Sequence, residues 1–292
     1  MKRAIFDYRE RVFQVDAPAG TLVLGRDTLV MGILNLTPDS FSDGGKYDTK
    51  KKAVDRAMQI AEEGASLLDL GGESTRPGAE PLPPEEEVKR VLPVVEALFK
   101  KEYPIPISID TRNASTAEKC LAAGASIVND VSGLRHDPEM GGVVARAAVP
   151  VILMHSRGTP KDMQEHATYN DLMGELVGEL RGRMQAAKEA GIDASNVLLD
   201  PGLGFAKTAE QSIEVLRSLA ELRTLGRPVV VGPSRKSFLS KLGASTPEER
   251  AGLATAAAVA ACSYAGAHIV RVHDVRQAVQ VLRVVDGIRR LV

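Results

Sequence analysis

Cysteine is scarce in this 292-residue chain, and Cys120 and Cys262 each lie inside an apolar helical pattern with no cysteine or histidine at ligand spacing. They read as buried thiols of a reducing, cytosolic compartment rather than as a disulfide framework or a metal centre. Long apolar runs are missing too: none approaches the ~18 residues needed to span a bilayer. The opening MKRAIFDYRE has basic residues but no apolar core, so no signal peptide is expected. Net charge is nearly absent, at −1, which gives no electrostatic reason to expect nucleic acid or an anionic membrane surface.

What is present is enough apolar material, 44%, for a large core. Length alone would suggest two domains, but α/β barrels reach this size as one unit, and a single domain over 1–292 is expected. Residues 1–28 stand apart. Arg11–Val15 and Thr21–Leu24, joined by Ala17-Pro18-Ala19-Gly20, predict a short hairpin that plugs one end of a barrel.

From Leu29 onward the pattern alternates regularly. An apolar run, Leu29–Leu34, stops at Asn35 and gives way to LTPDSFSDGG, too polar and too rich in Pro and Gly for a core element. A helix follows from about Lys50 to Glu63. Further strands are predicted at Ser66–Leu70, Pro106–Asp110, Ser126–Asp130, Val149–Met154, Val197–Asp200, Pro228–Gly232 and His268–His273, each followed by a helical pattern. Eight such units argue for a parallel (β/α)8 TIM barrel. A doubly wound open sheet is the competitor, but Gly44-Gly45 lacks the spacing of a dinucleotide fingerprint. Within the predicted helix 247–266, Ala251–Ala267 is apolar on every face and must be covered all round, by barrel neighbours or by a homodimer partner.

The strand ends carry the chemical signal. In order they are Asn35, Asp69, Asp110, Asn129, Met154-His155, Asp200, Gly232 leading to Lys236, and Arg271-Val272-His273. One polar residue at a strand end is usually a cap or a turn former. So many converging on the C-terminal mouth would be costly to bury without a ligand. Arg271 and His273, two apart, share a strand face; with Arg76 in the loop after strand two and Asn35 and Thr37 at strand one they suit a diphosphate carrying Mg²⁺. Asp110, Asn129, Asp200 and Lys236 suit a flat heterocycle, since a carboxylate accepts adjacent N–H and NH₂ groups in bidentate fashion. The plain alternatives stand beside these: Arg271 paired with a strand-end Asp, and Lys236 solvated in a polar turn.

The segments NLTPDSFSDGG (35–45), DLGGESTRPG (69–78), SIDT (108–111), NDVSG (129–133), MHSRG (154–158), DPGLGFAK (200–207), GPSRKSF (232–238) and RVHDV (271–275) together closely resemble bacterial dihydropteroate synthases, in the same order from about Met31 onward. The resemblance implies condensation of 6-hydroxymethyl-7,8-dihydropterin diphosphate with 4-aminobenzoate, in the free-standing form of the enzyme. It implies that Asp110, Asn129, Asp200 and Lys236 hold the pterin, with Met154 and Gly232 lining its slot. Asn35 would ligate Mg²⁺, while Thr75, Arg76, Arg271 and His273 hold the diphosphate. Aminobenzoate would lie against Pro38, Phe41, Lys236 and Ser237, its carboxylate at the N-terminus of the helix after strand seven. A dissociative mechanism follows, with Asp39, Asp110, Lys236 and Arg271 as the catalytic set and the loops 36–47 and 74–82 closing over the intermediate. Sulfonamides would compete as aminobenzoate mimics, with Phe41, Pro38 and Ser237 as the places where resistance arises.

Three rivals are weaker. A methyltetrahydrofolate–corrinoid methyltransferase has no use for STRPG and SRKSF. A Schiff-base aldolase would need Lys236 on a strand rather than in a polar loop. A non-catalytic pterin-binding paralogue has no need of the leaving-group set Asn35, Asp39, Arg76, Arg271 and His273.

Overall fold

A computed structural model of the chain describes residues 12–37, 46–74 and 78–290, the side chains of 46–49 excepted. The chain opens with an antiparallel hairpin of β1 (Phe13–Ala17) and β2 (Gly20–Leu24), pairing Phe13 with Leu24 and Ala17 with Gly20. The first strand therefore runs later than the Arg11–Val15 expected from sequence. The tight Pro18-Ala19 turn draws Asp16 and Ala17 into the ladder, and Thr21 Oγ1 donates to Asp16 Oδ1 at 2.6 Å across it.

Eight parallel strands follow: β3 (Leu29–Asn35), β4 (Leu67–Gly71), β5 (Ile107–Asp110), β6 (Ile127–Asp130), β7 (Val151–Met154), β8 (Val197–Asp200), β9 (Val230–Val231) and β10 (Ile269–Val272). They pair in the order β8-β7-β6-β5-β4-β3-β10-β9. A parallel bridge between Leu199 and Val229 joins the two ends, with Leu199 N–H donating to Pro228 O at 2.9 Å, so the sheet closes into a barrel. The outer ring comprises α1 (Lys46–Glu62), α2 (Pro84–Lys100), α3 (Ala114–Ala122), α4 (Met140–Ala147), α5 (Leu172–Glu189), α6 (Ala209–Arg217), the short α7 (Pro247–Glu249), α8 (Thr255–Tyr264) and α9 (Val275–Arg290). Among the described residues no helix is long and apolar enough to cross a membrane.

Strand side chains alternate between the barrel interior and the helix layer. Met31, Leu67, Ile127, Ile152, Leu198, Val230 and Ile269 point inward and pack with Val15, Leu22 and Leu24 of the hairpin into one apolar cluster. The hairpin thus seals the N-terminal end. The intervening residues, such as Leu68, Val128, Leu153, Leu199 and Val270, join the larger cluster between barrel and helices.

Three further elements differ from the sequence reading. Strand β9 spans two residues rather than Pro228–Gly232, because Pro228 has no N–H to give and Gly232-Pro233 ends the ladder. The predicted helix 209–225 becomes α6 followed by a 3-10 segment, Leu219–Leu225, whose three-residue turn buries Leu219, Leu222 and Leu225 on one side. Between β9 and α7 the loop runs into a six-residue 3-10 helix, Ser237–Leu242. The predicted helix 247–266 is broken by a π-helical stretch, Arg250–Ala254. Thr255 explains the break: its hydroxyl donates to the Arg250 carbonyl five residues back and accepts the Arg235 N–H at 3.1 Å. The wide turn thereby pins the loop after β9, consistent with the use of π-bulges near functional sites.

The Ala-rich helix is covered on one side only. Thr255, Ala258, Val259, Cys262 and Ser263 of α8 are buried, whereas Leu253, Ala257 and Ala261 are exposed.

Candidate active site

The same alternation that puts apolar residues at the sealed end puts polar ones at the other. Two residues beyond Leu67, Ile127, Leu198 and Ile269 stand Asp69, Asn129, Asp200 and Arg271, and two beyond Ile152 stands Met154. These side chains share the interior of the barrel near its C-terminal mouth.

Arg271 is the hub. Its Nε donates to Asp69 Oδ2 at 2.6 Å and its Nη2 to Asp110 Oδ2 at 2.6 Å, while Nη1 makes no hydrogen bond among the described residues. The sequence alternative of a barrel ion pair is therefore realised, twice over. Asp69 is fully buried and also accepts Ser108 Oγ at 2.7 Å and Asn129 Nδ2 at 3.1 Å. Burial opposes the Arg271 charge, but Asp69 and Asp110 more than offset this and push its pKa up. Burial raises Asp110 to about 7, against the lowering influence of Arg271.

Asp200 ends β8 with Oδ1 accepting the Gly202 N–H at 2.7 Å. Burial raises its pKa, and that backbone bond and Lys236 oppose the rise. Lys236 is not a freely solvated lysine: its Nζ lies 4.3 Å from the centre of the Phe205 ring, and burial, then Arg271, lower it to about 8. Gly232 lies beside Arg271, whose Cβ would be 3.9 Å from a Cβ at that position. Asn35 ends β3 opposite Gly71, which in turn pairs with Asp110; a Cβ on Gly71 would sit 3.6 Å from Asn35 Oδ1 and 3.4 Å from Asp110 Cβ. His273 Nδ1 is 3.0 Å from Ser234 Oγ.

The structure thus brings Asp110, Asn129, Met154, Asp200, Gly232, Lys236, Arg271, His273 and Asn35 to one end of the barrel. Ser237 follows Lys236 and is exposed. Pro38, Asp39, Phe41, Thr75 and Arg76 lie outside the described residues.

Several residues of the site escape a reading of strand ends alone. Asp69 stands among the strand ends, a carboxylate in the apolar run LLDLG, but its task of holding Arg271 is not visible there. Ser108 has none beyond its inward register. Glu73 accepts Arg112 Nε at 3.1 Å and Nη2 at 2.8 Å and also the Leu82 N–H at 3.0 Å, closing the base of the 73–82 stretch. Lys207 is a buried lysine in the loop after β8, and burial lowers its pKa to about 7. Cavity size does not locate the chemistry. A groove of about 920 Å³ opens near the hairpin turn, beside Phe99, Tyr103 and Leu121, whereas the cleft beside the mouth, at Arg112, Val131, Ser156 and Phe205, measures about 120 Å³.

A barrel mouth with an Asp/Asn edge and a lysine has the donors and acceptors to take a flat heterocycle. The sequence profile of the pterin binding enzyme family matches residues 31–273, and the chain belongs to that family. The dihydropteroate synthase of Synechocystis sp. is 47% identical over 267 residues, covering 91% of this chain and 92% of that protein. The Xanthomonas albilineans dihydropteroate synthase with 4-aminobenzoic acid superposes with a TM-score of 0.88 at 41% identity, over 96% of this chain and 99% of that one. The same protein in complex with 7,8-dihydropteroate gives 0.85 at 39% identity, over 94% and 98%. Within the family, the chain is a dihydropteroate synthase by these relationships.

Proposed function

We infer that the chain joins 6-hydroxymethyl-7,8-dihydropterin diphosphate to 4-aminobenzoate, giving 7,8-dihydropteroate and diphosphate. The observation that carries this reading is Arg271, held between Asp69 and Asp110 at a mouth that also holds Asn129, Asp200 and Lys236. Asp200 and Asn129 serve the amino-pyrimidine edge of the pterin, and Lys236 donates to its carbonyl oxygen. Met154 and Gly232 line the slot. Arg271 and His273 meet the diphosphate, with Thr75 and Arg76 assigned to the same task by motif.

The reaction breaks the C–O bond between the pterin methylene and the diphosphate, and the electron pair leaves with the diphosphate. The aromatic amine then forms the C–N bond and gives up a proton. Asp110, close to the ring, favours the cationic carbon between these steps, and Arg271 stabilises the charge growing on the leaving group. Asp39 is assigned by motif to the amine, and Pro38, Phe41, Lys236 and Ser237 to the aminobenzoate. Among the described residues no three His, Cys, Asp or Glu side chains gather to hold a metal, and the Asp69 oxygens are already taken by Arg271, Ser108 and Asn129. A single neutral amide oxygen, Asn35, suits Mg²⁺ carried mainly by substrate oxygens and water. When bound, Mg²⁺ neutralises charge on the departing diphosphate.

Two further proposals stand on smaller observations. Leu253 (84% exposed) and Ala257 and Ala261 on one helix, with Val284 (62%) and Ile288 (49%) on α9, leave apolar surface that supports a homodimer. Two buried free thiols support a cytoplasmic location. The function is tested by diphosphate release from pterin diphosphate and Mg²⁺, with and without 4-aminobenzoate. Release matched by dihydropteroate formation is expected; tight pterin binding without release would overturn the catalytic reading. Sulfonamides are expected to raise the apparent KM for 4-aminobenzoate without lowering kcat.

A further inference from the structure

The loop Pro201–Lys207, between β8 and α6, has a tightly constrained backbone. Gly202, Gly204 and Ala206 have positive φ of 66°, 78° and 49°. A Cβ on Gly202 would come within 2.1 Å of the His155 carbonyl oxygen, so this loop is pressed on to the end of β7 where only glycine fits. Lys207 is what spans the junction. It is 2% exposed, and its Nζ donates to Gly202 O at 3.1 Å and Phe205 O at 3.0 Å and lies 2.8 Å from His155 Nδ1. Three N–H donors meet three acceptors, none of them a carboxylate.

This arrangement fixes the histidine. With Nζ as the donor Nδ1 accepts, which puts the proton on Nε2, facing Glu179 Oε2 at 3.3 Å. Glu179 is shared with Arg157, whose guanidinium lies 3.9 Å over the Tyr169 ring. Tyr169 in turn donates its hydroxyl to Ala206 O at 2.8 Å, gripping the same loop from the other side. The loop is therefore clamped by the Lys207 amine within and a phenol without.

What it carries belongs to the site. Phe205 places its ring beneath Lys236 Nζ, a Cβ on Gly204 would lie 3.7 Å from Lys236 Cδ, and Gly202 N–H orients Asp200 through Oδ1. We propose that Lys207 is a positioning residue for the pterin slot: by tying the Gly202 and Phe205 carbonyls to His155 it sets Asp200 and Phe205 against the ring. The inference rests on the assignment of that slot to pterin.

The test is binding of pterin diphosphate with Mg²⁺ by titration calorimetry, together with steady-state KM values for both substrates. Lys207→Met, which keeps the stem and loses the donors, should weaken pterin diphosphate binding by about tenfold or more, with the KM for 4-aminobenzoate within about twofold. Tyr169→Phe should weaken the pterin by about threefold, and it carries the test if Lys207→Met does not fold. A general structural role would move both KM values together. That result, or unchanged pterin affinity in a folded variant, overturns the proposal. Asp200→Asn separates the two levels: if it too leaves pterin affinity unchanged, the slot itself is misassigned, whereas a loss there alone removes only Lys207.

Discussion

At its N-terminal end the barrel is filled with carbon: Met31, Leu67, Ile127 and Ile269 meet Val15, Leu22 and Leu24 of the hairpin. Two residues further along three of the same strands, Asp69, Asn129 and Arg271 occupy the interior. Backbone, register and alternation are shared, so the strands themselves do not decide which end reacts. Stability at one end comes from apolar burial, which is non-directional. Order at the other comes from charge pairs that satisfy each other only in one geometry. A seal tolerates small errors of placement better than the Asp69–Arg271–Asp110 chain does.

The largest expected effect comes from breaking that chain. Arg271→Met should lower kcat/KM for pterin diphosphate by about 10³-fold, the scale of losing a preorganised charge donor. It should also change stability in a pH-dependent way. Asp110 is raised to about 7, chiefly by burial, so the native state holds a proton that the unfolded chain has already released. The stability this group contributes is full below its unfolded value of about 4 and is lost as pH rises through about 7. Removing Arg271 takes away the main influence opposing that rise, so the variant should melt well below the wild type at pH 8 and approach it near pH 5. Equal deficits at both pH values would show that Arg271 is not what tolerates the Asp110 charge. At the sealed end, Leu24→Ala should cost about 2–5 kcal/mol by denaturant unfolding, since Leu24 is fully buried, with kcat little changed. A large fall in kcat there would mean that the two ends are coupled.

The barrel and most of its mouth were legible because both rest on short-range rules. Apolar runs of strand length give the strands, and an inward polar residue two places beyond an inward apolar one gives Asn129, Asp200 and Arg271. What was not legible depends on contacts remote in sequence. Arg271 could be paired in principle with any strand-end Asp, but nothing local says that the partners are Asp69 and Asp110, 202 and 161 residues away. Lys207 looks like a loop lysine until His155 is brought to it. The break at Arg250–Ala254 likewise needs Thr255 to reach the Arg235 N–H, which a helical periodicity does not reveal.

A smaller effect is expected from titrating the mouth. In the proposed pterin slot Lys236 must keep its proton to donate to a ring carbonyl, and burial, then Arg271, bring it down to about 8. The kcat/KM for pterin diphosphate should therefore fall about tenfold per pH unit above that value. The apparent pKa will belong to the cluster as a whole, because Lys236, Asp110, Asp200 and Arg271 act on one another. Lys236→Arg, which cannot lose its proton in this range, should flatten the limb even if its fit lowers the plateau. A limb that persists unchanged in Lys236→Arg would assign it to another group.

The smallest effect sharpens the comparison at the sealed end. Val23 neighbours Leu24 in β2 but points outward and is 46% exposed, whereas Leu24 is 0% exposed. Strand alternation sends adjacent residues to opposite faces, so the two should differ more in energetic weight than in chemistry. Val23→Ala is expected to change unfolding free energy by no more than about 0.5 kcal/mol, as for most surface substitutions. Comparable costs for the two alanine variants would mean that the hairpin does not present one face to the barrel interior, and the account of that end as an apolar plug would fail.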